Sequence, residues 1–232
     1  MEKMVIEGGY PLNGKVKVNG AKNAALPIMA ACLLINGTTK LRGIPELTDV
    51  KTLCKILNEL GVDTKKCEDG SLDITVKDER NITAPYDLVR TMRASICVLG
   101  PLLGKRGMAK VSIPGGCSIG SRPIDIHIKG IESLGAEVVM EDGYVIATGK
   151  MKGSEIYLGG PYGSTVLGTC NIIMAAVLAE GRTIIENAAC EPEVQDLAHF
   201  LNKAGANIAG IGESNLIVDG VDRLNGIEYE II

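Results

Sequence analysis

Residues 114–125 read PGGCSIGSRPID, and the residue types in that stretch could do chemistry. Cys117 follows two glycines, Arg122 comes five residues later, and Pro123 opens what reads as a helix. Glycines at 115, 116 and 120 let the backbone come close to a ligand. Proline suits the first helical position, and a helix N-terminus offers free N–H groups to an anion. Arg122 adds a planar, permanently charged donor fork at the same place. A thiol beside a helix start and an arginine is expected to ionise easily, so it can act as a nucleophile or a proton donor. The stretch reads as a catalytic cysteine next to a bound anion; the competing reading is a neutral surface insertion.

Two more cationic stretches could serve the same anion. NGAKNAALP puts Lys22 and Asn23 at the start of an apolar, small-residue helix, and LVRTMRAS puts Arg90 and Arg93 at the start of a similar one. Singly, each cation reads as a solvated surface charge. Together, Lys22, Arg93 and Arg122 fit convergence on one polyanionic ligand. His127 lies on the apolar stripe of the helix after Pro123. It fits two readings: a satisfied, partly buried histidine, or a group standing behind the anion site.

The elements that must position these residues repeat three times. Segments starting at Gly37, Gly107 and Gly181 each run through a β-rich piece and a loop into an amphipathic helix that ends at Gly61, Gly135 or Gly205. One position before those closing glycines stand Leu60, Leu134 and Ala204; four before, Leu57, Ile131 and Leu201; eleven before, Val50, Ile124 and Val194. That spacing is one stripe of an α-helix. Eight before, the series is Leu53, His127, Leu197, so the histidine breaks the pattern in the second repeat. An apolar helix precedes each opening glycine: AALPIMAACLLI, MRASICVLGPLL and CNIIMAAVLA. Strand-like pieces follow each closing one. The pattern predicts an inside-out α/β barrel of three pseudo-symmetric repeats, with buried helices and outer sheets. The second repeat spans 28 residues (107 to 135) against 24 in the others (37 to 61, 181 to 205), and the extra residues fall in the cysteine loop.

Composition narrows the class. The chain has 232 residues, 46% of them apolar, with one Phe and no Trp, so the core is aliphatic. A net charge of −4 argues against a nucleic-acid partner, and no apolar run reaches bilayer length, so the chain reads as cytoplasmic with no membrane association. Seven cysteines without a CxxC, and two distant histidines, offer neither a disulfide framework nor a zinc site. Cys32, Cys54, Cys97 and Cys170 read as small buried hydrophobes.

The stretches NGAKNAALPIMAA, APYDLVRTMRAS, PGGCSIGSRPIDIHI and AEGRTIIENAACEPEVQDL resemble the UDP-N-acetylglucosamine enolpyruvyl transferases. The resemblance runs over nearly the whole chain. It implies transfer of the enolpyruvyl group of phosphoenolpyruvate to the 3-hydroxyl of UDP-N-acetylglucosamine, with release of phosphate, at the first committed step of peptidoglycan synthesis. It implies no metal and no organic cofactor. By the same resemblance, Lys22 and Arg122 bind the phosphate and carboxylate of phosphoenolpyruvate. Asn23 holds the sugar nucleotide, Arg93 sits with the diphosphate, and Arg122, Pro123, Ile124, Asp125 and Ile126, with His127 beside them, shelve the uracil. Cys117 protonates the methylene carbon of phosphoenolpyruvate or forms an adduct with it, and is the thiol that fosfomycin alkylates. Thr165 and Val166 match a further nucleotide-contacting segment, although GPYGSTVLGT departs from the usual SVGAT and Leu167 stands where glycine is common.

The family is nearly twice as long and has two such domains. The expectation is an N-terminal half: residues 1–20 as a strand hairpin that joins the second domain, then residues 21–232 as one domain of three repeats (about 21–84, 85–158 and 159–232), with the second domain, its general base and further arginines missing. Self-association through the hairpin is the other partner expected. Two rivals stand beside this reading: a non-catalytic half that binds a UDP-sugar or a partner, and the sister synthase that makes 5-enolpyruvylshikimate 3-phosphate. The sister pairs its lysine with serine, where this chain has Lys22-Asn23, and lacks the loop cysteine.

Overall fold

A computed structural model describes residues 3–113, 124–161 and 163–232 of the chain. Its helices are α1 (Lys22–Ala31), α2 (Thr48–Glu59), α3 (Tyr86–Val89), α4 (Leu99–Arg106), α5 (Asp125–Ser133), α6 (Val166–Ala176) and α7 (Pro192–Ala204). The opening glycines 37, 107 and 181 and the closing glycines 61, 135 and 205 all have positive φ, the backbone that stops a helix and turns it into a strand. Every residue of the expected stripe is buried, from Leu60, Leu134 and Ala204 to Val50, Ile124 and Val194.

Three four-stranded sheets share one plan. Strand 38–42 lies antiparallel to 72–76, which pairs with 62–66. Strand 108–112 pairs in the same way with 144–148, and that with 137–141. Strand 182–186 pairs with 215–219, and that with 207–209. Each sheet then takes one parallel strand on its other side: 83–84 beside 108–112, 155–157 beside 182–186, and the C-terminal 228–230 beside 38–42. That last pairing, with Ile35 beside Leu224, closes the ring of repeats. The sheets lie outside. α1 is buried from Ala24 to Ala31 and α6 from Gly168 to Ala176, so the apolar helices form the centre. This is the inside-out arrangement that the repeats predict.

Two features differ from the sequence pattern. The apolar stretch from Met92 does not form one α-helix: Arg93–Val98 is a 3-10 helix, and α4 starts at Leu99. Pro101 lacks the N–H that would reach back to Cys97, so the regular ladder cannot run through that point. Residues 3–20 carry neither helix nor strand, so the hairpin expected there is not formed within this chain. A strand needs an edge to pair with, and the expectation placed that edge in another domain. Met4, Val5, Ile6, Tyr10, Leu12, Val16 and Val18 are each at least 71% exposed. No helix among the described residues is long and apolar enough to cross a membrane.

Candidate functional site

A cavity of about 450 Å³ opens where the starts of several helices meet. α1 contributes Lys22, Asn23, Leu26 and Pro27; the segment entering the 3-10 helix contributes Thr91, Met92, Arg93 and Ala94; α6 contributes Val166 and Leu167. Asp49 in the first turn of α2 and Glu193 in the first turn of α7 complete the wall. The repeat symmetry brings these helix ends to one place, and helix N-termini favour anions. Pro27 adds a local effect: it has no N–H to donate to the carbonyl of Asn23, so the helical ladder lacks that bond.

The charges are mixed. Lys22 Nζ lies 3.0 Å from Asp49 Oδ2, with both side chains partly exposed. An anionic ligand has to compete with that carboxylate for Lys22. Arg93, half-buried, lines the same cavity and has an interaction partner of its own. Arg90 faces away from the cavity's lining, over the ring of Tyr86 and 3.7 Å from Asp87.

Of the residues singled out by sequence, Lys22, Asn23, Arg93 and Val166 come together in this cavity. Leu167, the departure from the expected glycine, also lines it. Thr165 caps α6, its Oγ1 accepting from the Gly168 N–H at 3.3 Å. This sets the helix start that presents Val166. Ile124 is buried and Asp125 exposed; Ile126 packs toward Gly160, at the first turn of α5. Cys117, Arg122 and Pro123 lie outside the described residues, so the helix start seen is Ile124–Asp125.

His127 is buried, 2% exposed, deeper than the partly buried histidine of its blander reading. Its Nδ1 stands 2.9 Å from Nδ2 of Asn171. Burial, helped by the charge of Arg93 and opposed by Asp125, pushes the imidazole down to about 4, so the ring is neutral at pH 7. Cys32, Cys97 and Cys170 are buried, and desolvation raises the first two thiols to about 12 and the third well above its usual range. They are the small buried hydrophobes expected. Cys54 is only partly buried.

Asp49 and Glu193 were not foreseen, yet a signal exists. Each stands twelve positions before its closing glycine, where the second repeat has Pro123. Residues in equivalent slots reach the same end of the domain. Asn171 was missed as well, because it sits inside the apolar run CNIIMAAVLA.

Buried helices ringed by three like sheets, with cations gathered at helix starts, define the inside-out domain of the enolpyruvyl transferase fold. Solved structures share it. The enolpyruvyl transferase NikO of Streptomyces tendae superposes with a TM-score of 0.82 at 19% identity, over 97% of this chain and 53% of that one. An EPSP synthase of Acinetobacter baumannii gives 0.72 at 20% identity, over 94% and 49%. The family model for EPSP synthase (3-phosphoshikimate 1-carboxyvinyltransferase) matches residues 6–232, and the chain belongs to that family. Within it, the chain is 54% identical, over its whole length, to the UDP-N-acetylglucosamine 1-carboxyvinyltransferases of Coxiella burnetii and Methylacidiphilum infernorum. It spans about half the length of these relatives, 53% and 55% respectively.

Proposed function

We propose that the chain is the N-terminal half of an enzyme that moves the enolpyruvyl group of phosphoenolpyruvate onto the 3-hydroxyl of UDP-N-acetylglucosamine. The observation that carries this is the meeting of Lys22, Asn23 and Arg93, from two different repeats, in one cavity. The whole-length identity to relatives bearing that enzyme name supports it. Against the sister synthase stand Lys22-Asn23 and Cys117.

In this reading Arg93 sits with the diphosphate and Asn23 holds the sugar nucleotide. Residues Arg122, Pro123, Ile124, Asp125 and Ile126, with Thr165 and Val166, hold the nucleoside. His127 stands behind them, and Lys22 with Arg122 takes the anionic groups of phosphoenolpyruvate. Cys117 gives a proton to the methylene carbon while the sugar oxygen bonds to the neighbouring carbon. The carbon–oxygen bond to phosphate then breaks, and a proton leaves the new methyl group to restore the double bond. No metal or organic cofactor takes part. The base that removes the sugar hydroxyl proton comes from a second half of the kind the relatives carry. The exposed apolar side chains of residues 4–18 pair with that half or, without it, with a second copy of the chain.

Phosphate release tests this. With both substrates, the chain alone is expected to release none above background, because a half site lacks the base and cannot close over its substrates. Mixed with the C-terminal half of the Coxiella burnetii relative, it is expected to release phosphate, and Cys117→Ala to abolish that release. Turnover by the chain alone would refute the half-site reading.

A further inference from the structure

One buried side chain joins three of the elements that carry candidate site residues. Asn171, in the middle of α6, is fully buried. Its Nδ2 donates to the carbonyl of Ile96 at 3.0 Å, in the 3-10 helix that begins at Arg93. Its Oδ1 accepts from the Gly100 N–H at 2.8 Å, in the first turn of α4. The same Nδ2 stands 2.9 Å from Nδ1 of His127, in the first turn of α5. The neighbouring helices come very close here. A Cβ at Gly100 would lie 2.2 Å from the Asn171 carbonyl oxygen, and one at Gly130 would lie 2.6 Å from Ile172. Glycine at both positions lets α4 and α5 press onto α6 around this amide.

The backbone partners fix which way the amide points. A carbonyl only accepts and an N–H only donates. Turning the amide over would set oxygen against the Ile96 oxygen and Nδ2 against the Gly100 N–H. Nδ2 therefore gives one hydrogen to Ile96 and the other to His127. Nδ1 of His127 must accept, so it carries no proton, and a neutral ring holds its proton on Nε2.

We infer that Asn171 is a positioning residue of the candidate site: it holds His127 as the Nε2–H tautomer and locks α5, α6 and the Arg93 helix into one arrangement. Burial of the ring beside the Arg93 charge keeps it neutral and agrees with this. The role in ligand binding rests on the function proposed above; the tautomer does not.

Nitrogen NMR of histidine-labelled protein reads the tautomer directly. The chain has only two histidines, and His127→Leu assigns the signal. The native chain at pH 7 is expected to show His127 neutral with the proton on Nε2; a proton on Nδ1, or a charged ring, would overturn the inference without any variant. Asn171→Asp puts an oxygen where the donor stood. His127 must then protonate Nδ1, as the other tautomer or as imidazolium, and an unchanged Nε2–H signal would overturn it too. UDP-N-acetylglucosamine is expected to bind Asn171→Ser about tenfold more weakly, a difference of about 1.4 kcal/mol, with the fold retained. Equal affinity would remove the positioning role. If the native chain binds none, the proposed function falls, while the tautomer result still decides the inference.

Discussion

In the first and third repeats, the position eight before the closing glycine holds Leu53 and Leu197, both fully buried. In the second repeat the same slot holds His127, 2% exposed. The backbone frame and the burial are alike; only the chemistry differs. A leucine there gains from losing water, whereas an imidazole loses unless a partner meets it. Asn171 is that partner, and it lies in a helix that is otherwise nearly all apolar. The fold thus repeats three times as a shape, while of these three slots the one in the second copy holds a polar side chain, tied to the third copy through Asn171. The second copy also bears the longer cysteine loop.

Breaking that tie should have the largest effect. Asn171→Ala strands the Gly100 N–H and Nδ1 of His127 in the interior, while the Ile96 carbonyl keeps its bond from the Leu99 N–H. Unsatisfied buried groups cost about 1–3 kcal/mol each, so a loss of about 4 kcal/mol is expected in a denaturant titration.

Acid should do nearly as much through one side chain. The folded chain keeps His127 neutral until about pH 4, while an unfolded histidine takes its proton near 6.5. The unfolded state therefore binds the extra proton between those values, and stability falls as pH drops through that window, by about 3 kcal/mol in all. Asp69 and Asp78, held down to about 2 by Ser71 and Arg80, add their own losses only as pH falls below the ordinary Asp value of 3.8. Unfolding measured from pH 7 to 4.5 should show the slope in the native chain and lack the His127 share in His127→Leu.

Restoring the symmetry should cost little. At pH 7, His127→Leu removes one hydrogen bond from Asn171 but leaves those to Ile96 and Gly100, so a loss of about 1 kcal/mol is expected by thermal or denaturant unfolding. A loss as large as that of Asn171→Ala would mean that the other Asn171 bonds depend on the histidine. The smallest effect belongs to the cavity mouth: Asp49→Asn breaks a partly exposed pair with Lys22 and should change stability by less than about 1 kcal/mol. Calorimetry on that variant sharpens the contrast between a wall fixed in the core and a cation held at the surface.

The parts of this picture that repeat could be read from the chain. The opening and closing glycines, the helical stripe and the apolar helices each recur three times, and recurrence separates signal from chance. The ring closure by strands 38–42 and 228–230 could not, because that pairing joins strands far apart in the sequence and leaves no local pattern. The break before Leu99 follows from Pro101, which is visible but does not say where the 3-10 turn begins. Lys22, Asn23 and Arg93 were legible as cations and amides at helix starts; Asp49 and Glu193 were not, because carboxylates in a first helical turn usually serve only the helix dipole. Asn171 was hidden because a single amide in an apolar run gives no clue to its partner 44 residues away.

The central claim is that the cavity between Lys22 and Arg93 holds the anionic part of a UDP-sugar. Titration of UDP-N-acetylglucosamine into the chain by calorimetry tests it most directly, with Arg93→Ala as the comparison. The account predicts saturable binding of one ligand per chain, weakened about tenfold or more in the variant, the size of a lost charged hydrogen bond. Absence of binding by the native chain, or equal binding by the two, would contradict it.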